Sequence, residues 1–394
     1  KCGTVSSSVN LGFEPQWVLQ KNITSAENWR MHDMMRGMTA INNAGAGPIL
    51  YPNLSNAEAT NRTPRPTATG FLSEGNLNPA HTFVYIAIRR PMKTPESGTE
   101  VFAIDRGDSS SVPQFTSNFP VDFAMTMTTA GGASWYQSAR LIQGRRLVSN
   151  TTAAETSVTQ MKFSFQDGFW GDTGTSTLYH SWMWKRAPGF FDVVCYTGTG
   201  VAGRTVNHSL GVVPEMIIVK SRNNAVRWAV YHEALGNTKD LRLDDTSAES
   251  TSANAWNSTD PTSTQFTVSS NTVVNGSSSY DYIAFLFASL DGISKVGSYT
   301  GNGTSQTIDC GFSAGARFVM TKRTNTTGNW NVWDSERGIV AGNDPRLELN
   351  STSAQDTGHD YIDPDSSGFT VNYVADDDDD SNVSGDEYIF LAIA

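Results

Sequence analysis

The chain has 394 residues, 39 acidic against 28 basic, and only 17% charged side chains, with Ser, Thr, Asn and Gly filling the gaps between short apolar runs. It has no Lys/Arg block, which argues against nucleic acid as the main partner because phosphate binding rests on clustered cations, and no run approaches the ~18 apolar residues of a membrane span. Three cysteines, Cys2, Cys195 and Cys310, are too few and too scattered for a disulfide framework or a CxxC metal site, which leaves an all-β, turn-rich chain of extracellular or virion type.

In chain order, the opening KCGTVSSSVNLGFEP leads through Gly12 and Pro15 into the strand-like QWVLQK, and the first stretch closes on the alternating HTFVYIAIRR (81–90). RPMKTPESGTE (90–100), with two prolines, reads as a linker. In FAMTMT the apolar Phe123, Met125 and Met127 stand two apart, on one face of a strand. Further on, MIIVK (216–220) and YIAFLFA (282–288) are nearly continuous apolar runs, which suit strands buried on both faces. The chain ends on a similar run, YIFLAIA.

These elements recur. An aromatic knot appears as ENWRMHDMMRG, ASWYQSARLIQG, VRWAVYHEALG and GNWNVWDSERG, with Trp29, Trp135, Trp228 and Trp330 in register. A second block, NLSNAE, NTTAAE, DDTSAE and NSTSAQ, aligns Ala57, Ala154, Ala248 and Ala354, and an aromatic follows Gly or Gln in GFL (70–72), GFW (168–170), QFTV (265–268) and GFTV (368–371). CYTGTG (195–200) and SYTGNG (298–303) open the last two copies. Lys1-Cys2-Gly3 reads as the remnant of the same element, so the chain is expected to be a piece of a longer polypeptide. A period near one hundred residues is domain-sized, longer than solenoid repeats of about 20–50. The expectation is a string of four small β-sandwiches, jelly-roll or Ig-like, over 1–95, 96–188 (the most diverged), 189–294 and 295–394, each covering a core of its own.

No motif carries catalysis. GTGVAG (198–203) matches a nucleotide-site glycine pattern, but RTVNHSLGVVP follows in place of the helix that would meet a phosphate, so it reads as a β-turn. The run Asp376 to Asp380 lacks the spaced ligands of a calcium loop and reads as a solvated loop. His32, His232 and Glu233 invite an acid–base role. Their aligned positions differ between copies, so they read as polar groups at a turn. No catalytic, cofactor or metal residues are expected. The four aligned tryptophans are expected as core anchors, and the unaligned Trp170, Trp256 and Tyr361 as a partner surface.

The run from YTGNGTSQTIDCGFSAGARFVMTKR to GDEYIFLAIA, with the preceding copy from YTGTGVAGRTVNHS, resembles the C-terminal repeat region of fibre-like virion proteins of marine tailed phages, closely over 190–394 and more loosely over 1–186. The resemblance implies a non-enzymatic virion protein, a tail fibre or appendage presenting β-domains to a host receptor, glycan or protein, among other virion proteins. A capsid decoration or head fibre is the alternative, and a polysaccharide-degrading spike is less favoured because no carboxylate pair can be nominated. A homotrimer is expected from fibre analogy, and because thin units with apolar runs leave surface to cover.

Overall fold

Period-two alternation with β-branched and aromatic residues makes short strands, and the Gly, Asn and Ser between them make turns. The computed structural model describes residues 2–4, 8–41, 47–61, 63–72, 81–108, 110–171, 179–251, 253–375 and 381–394. Among these the chain is all-β, with two single-turn α-helices, Ala253–Trp256 and Thr272–Asn275, and two 3-10 turns, Gly98–Glu100 and Arg140–Ile142.

Its antiparallel sheets repeat four times. The third copy shows the pattern: Phe191–Thr197, Asp281–Phe287, Met216–Ser221, Ala229–His232, Lys239–Arg242 and Ser250–Thr251 lie side by side in that order. First and last strands are therefore neighbours, which is why the CYTG and YIAFLFA segments bracket the copy in sequence. A second, small sheet pairs Arg204–Asn207 with Gln265–Val268 and covers one face of the large one. The equivalent large sheets fall within 2–33, closing at 89, then 102–157 with 179–184, and 294–348 with 387–393; no sheet is shared between units among the described residues.

The glycine ahead of the aromatic has a steric cause. A Cβ on Gly70, Gly168 or Gly368 would stand 1.9, 2.1 or 2.1 Å from the carbonyl oxygen of Val9, Phe115 or Ile308 on the paired strand. The aromatics that follow, Phe71, Phe169, Phe266 and Phe369, are all buried between the two sheets of their units.

Register makes the copies comparable residue by residue. Phe123, Met216 and Phe318 sit opposite Trp184, Phe287 and Ile393; two residues on, Met125, Ile218 and Met320 sit opposite Trp182, Phe285 and Leu391. These side chains do not face their own small sheets. They form one central core between units two, three and four, each of which keeps a separate sandwich core on its other face; unit one joins that core only through other residues, such as Val18, Met38 and Phe71, not through the equivalent face. The apolar runs are thus buried on both faces. The expectation of beads joined end to end is corrected: the units pack on one another, because the large sheet of such a unit is apolar on both sides and one small sheet covers only one.

Units two, three and four close a ring. The indole nitrogen of Trp228 donates to the Val148 carbonyl of unit two at 3.1 Å, that of Trp330 to Arg242 of unit three at 2.7 Å, and that of Trp135 to Glu348 of unit four at 2.8 Å. Backbone bonds run around the same seams: Glu155 N to Arg222 O, Glu249 N to Thr324 O and Gln355 N to Thr129 O. Three equivalent seams make a pseudo-threefold arrangement. Unit one sits outside the ring, against units two and three, where Ala40 N donates to Leu141 O and Arg222 Nη1 to Ala40 O.

Candidate functional site

Three threefold-related units supply similar surfaces, so the features that occur once lie where unit one meets the ring. The first is a buried ion cluster. Arg186 binds both carboxylate oxygens of Glu14, at 2.6 and 2.9 Å, and Asp192 at 2.7 Å, while Arg140 binds Asp122 at 3.2 Å and Arg90 lies 3.6 Å from Asp122. Three guanidinium groups face three carboxylates. Burial works against the charge on Asp192, but Arg186 and Arg90 outweigh it and hold its carboxyl below the usual range. Every member has a partner inside the protein, so the cluster is a clamp holding unit one, although Arg90, Asp122 and Arg140 also border a cavity of about 390 Å³.

The second is a cleft of about 260 Å³ between the small sheet of unit one and the edge of unit three, lined by Arg65, Thr197, Arg204, Thr205, Asn207 and Asp281 over Tyr196. The Arg204 guanidinium lies over the Tyr196 ring, 5.2 Å from its centroid, and donates to the Thr197 carbonyl. Thr197 Oγ1 donates to Asp281 Oδ1 at 2.8 Å, and Arg65 approaches the same oxygen at 3.9 Å. Three planar cations (Arg65, Arg204 and Arg222), four threonines and one carboxylate thus line one depression. That donor set fits a hydroxylated or anionic ligand such as a sugar.

Nucleophilic chemistry is not set up there. Cys195 borders the cleft, but burial pushes its thiol up to about 12, far from a thiolate at neutral pH. Among the described residues Asp281 is the one carboxylate of the lining, where glycoside hydrolysis uses two.

The residues singled out from sequence scatter. Trp256 and Tyr361 are buried in the cores of units three and four, not on a surface: Trp256 packs edge-on against Tyr231, and the Tyr361 hydroxyl donates to Asp356 at 2.7 Å. Trp170 is half-buried, its backbone bridged to Lys162. Trp135, Trp228 and Trp330 are fully buried, although between units rather than within one, and Trp29 is 37% exposed. His32 and His232 are buried in different units; burial lowers them to about 3 and about 4, so both are neutral at physiological pH. Residues 198–203 form the turn between Phe191–Thr197 and Arg204–Asn207, with Gly200 and Gly203 at positive φ and no helix after them. Asp376 to Asp380 lie outside the described residues, and among those described no cluster of three or more potential metal ligands occurs. Sequence reasoning missed Arg65, Arg204 and Asp281, since the cleft needs unit one docked on unit three and nothing local in the sequence signals that contact.

A family model described as Domain of unknown function (DUF7483) matches residues 102–394, about three quarters of the chain, and the chain belongs to that family. The matched segment is the three-unit ring. No curated protein and no solved structure matches.

Proposed function

We propose that this member of the DUF7483 family is a virion structural protein, part of a tail fibre or other appendage, that binds a host-surface glycan and catalyses no reaction. The observation that carries the binding role is the cleft: three arginines, four threonines and Asp281 line a depression that the pseudo-threefold symmetry does not repeat. The appendage location rests on the order and spacing of segments over 190–394, which resemble fibre-like phage proteins.

The test has two arms. Labelled chain is applied to host cells and to their purified surface polysaccharide, alongside the Arg65→Ala, Arg204→Ala double variant. Saturable binding weakened by about tenfold or more in the variant is expected, since charge-assisted hydrogen bonds contribute roughly 1.5–3 kcal/mol each. Equal binding by both proteins removes the cleft from the account, and shortened oligosaccharides overturn the non-catalytic role. Immunogold labelling of particles addresses location: label at the tail supports an appendage, label over the head supports a capsid decoration.

A further inference from the structure

The ring shows what covers the inner face of such a unit, and unit one carries that face bare. By strand register Trp17 and Leu19 stand where Met216 and Ile218 stand in unit three, Ile86 and Ile88 where Phe285 and Phe287 stand, and Trp29 where Trp228 stands. In unit three this set is buried in the central core, with Phe285 at 1%, Phe287 at 3% and Trp228 at 0%. In unit one Ile86 is 58%, Ile88 49% and Trp29 37% exposed. A contiguous apolar patch of this kind on a monomer marks an interaction surface.

Most of the seam is also present in unit one, apart from the arginine of the ring's Arg–Glu pair, whose place Ile23 takes. The backbone nitrogen of Trp29 donates to Asn53 Oδ1, as Trp135 does to Asn150, Trp228 to Asp244 and Trp330 to Asn350, so the segment that receives a neighbour's tryptophan is set in the same place in all four units. Lys220 and Lys322 each reach a carbonyl of their own unit, Val226 and Gly328, and one of the next unit, Thr152 and Thr246. Lys21 makes the first of these contacts, to the Glu27 carbonyl. Ile23, at the position of Arg222, and Glu58, at the position of Glu155, are both exposed; in the ring Glu155 N donates to Arg222 O and the two side chains pair at 2.8 Å.

We propose that three copies of this chain associate through their first units, packing Trp17, Leu19, Trp29, Ile86 and Ile88 around a true threefold axis in the way units two to four pack around a pseudo-threefold one. The number follows from the seam. It is heterologous, the knot of one unit meeting the 51–58 type of segment of the next, and the ring shows that this contact closes after three steps. A dimer joined by one such seam would leave a tryptophan and a receiving segment unmatched. The inference rests on register and burial alone, so it holds whatever the chain binds and wherever on a particle it stands.

The test uses the full chain. Sedimentation and native mass at micromolar concentration are expected to give three times the chain mass for the parent and one chain mass for the Ile86→Lys, Ile88→Lys variant, with the far-ultraviolet circular dichroism of the two superimposable. Independently of that variant, a chain carrying Ile23→Cys and Glu58→Cys is expected to oxidise to a covalent trimer on a non-reducing gel, while either cysteine alone does not. A single copy or a dimer of the parent at these concentrations overturns the proposal. So does a trimer that survives both lysines, or a double-cysteine chain that stays uncrosslinked.

Discussion

Replacing Trp228 by alanine tests whether the ring is one cooperative body. The indole is fully buried between units two and three, and its nitrogen lies 3.1 Å from the Val148 carbonyl and 3.2 Å from that of Thr151. Removing a buried tryptophan costs about 3–5 kcal/mol through lost transfer energy and the cavity left behind, and stranding a carbonyl that loses its donor adds about 1–3 kcal/mol. The expected total, about 4–8 kcal/mol, is comparable to the whole stability of an ordinary domain, about 5–15 kcal/mol. Trp228→Phe keeps most of the apolar bulk and should lose about 1–3 kcal/mol. The contrast is Trp29→Ala, made in the Ile86→Lys, Ile88→Lys background that holds the chain as a single copy. There the partly exposed indole covers no other unit, and the loss should stay under about 1 kcal/mol. Equilibrium guanidinium unfolding followed by circular dichroism reads all three. Trp228→Ala within about 1 kcal/mol of the parent, or Trp29→Ala as damaging as Trp228→Ala, would refute the ring as the stabilising unit.

Three further outcomes are expected. Glu14→Ala leaves Arg186 buried with half its partners gone and should cost about 3–5 kcal/mol, seen as early tryptic cleavage between units one and two while the ring stays resistant. Gly368→Ala places a Cβ about 2.1 Å from the Ile308 carbonyl oxygen and should lower the stability of unit four by about 1–3 kcal/mol, read as a lower Tm. On acidification, His32 and His232 have folded pKa values lowered to about 3 and about 4 from 6.5. The unfolded chain therefore binds the extra protons, and stability is complete above pH 6.5 and falls as pH drops towards 4. At pH 5 the loss is about 2 kcal/mol per histidine at 1.36 kcal/mol per pKa unit. His232→Gln should remove about half of that slope in urea titrations at stepped pH; an unchanged slope would count against the assignment.

Much of the fold was legible because repetition exposes what a single copy hides. The period near one hundred residues, the Gly-aromatic pairs and the bracketing apolar runs all mark strands whose register is local, and the Gly70, Gly168 and Gly368 contacts give that pattern its cause. Continuous runs such as MIIVK signalled burial on both faces but did not say what lay on the second face, since hydrophobicity is not directional. Hence the four tryptophans were placed inside units when three of them bridge neighbours. Buried Trp256 and Tyr361 show the same limit from the other side. Their absence from the other copies reflected different fillings of equivalent sandwich cores, Tyr231 beside Trp256 and Trp333 beside Tyr361, rather than recognition. The cleft and the ion cluster were illegible for a stronger reason: Glu14 and Arg186 are 172 residues apart, and only docking brings them together.

The seam between Trp135 and Glu348 spans 213 positions of sequence, which bears on how the chain is made. During synthesis units two and three can each form their own sheets, but they remain an open arc until the last strand, Glu387–Ile393, is available to complete unit four. Through that interval Trp182, Trp184 and Phe285 have no third wall and face solvent or another nascent chain. A ribosome stalled in unit four would release an arc able to borrow the missing unit from a second copy, so errors late in translation would appear as exchanged oligomers before they appear as unfolded protein.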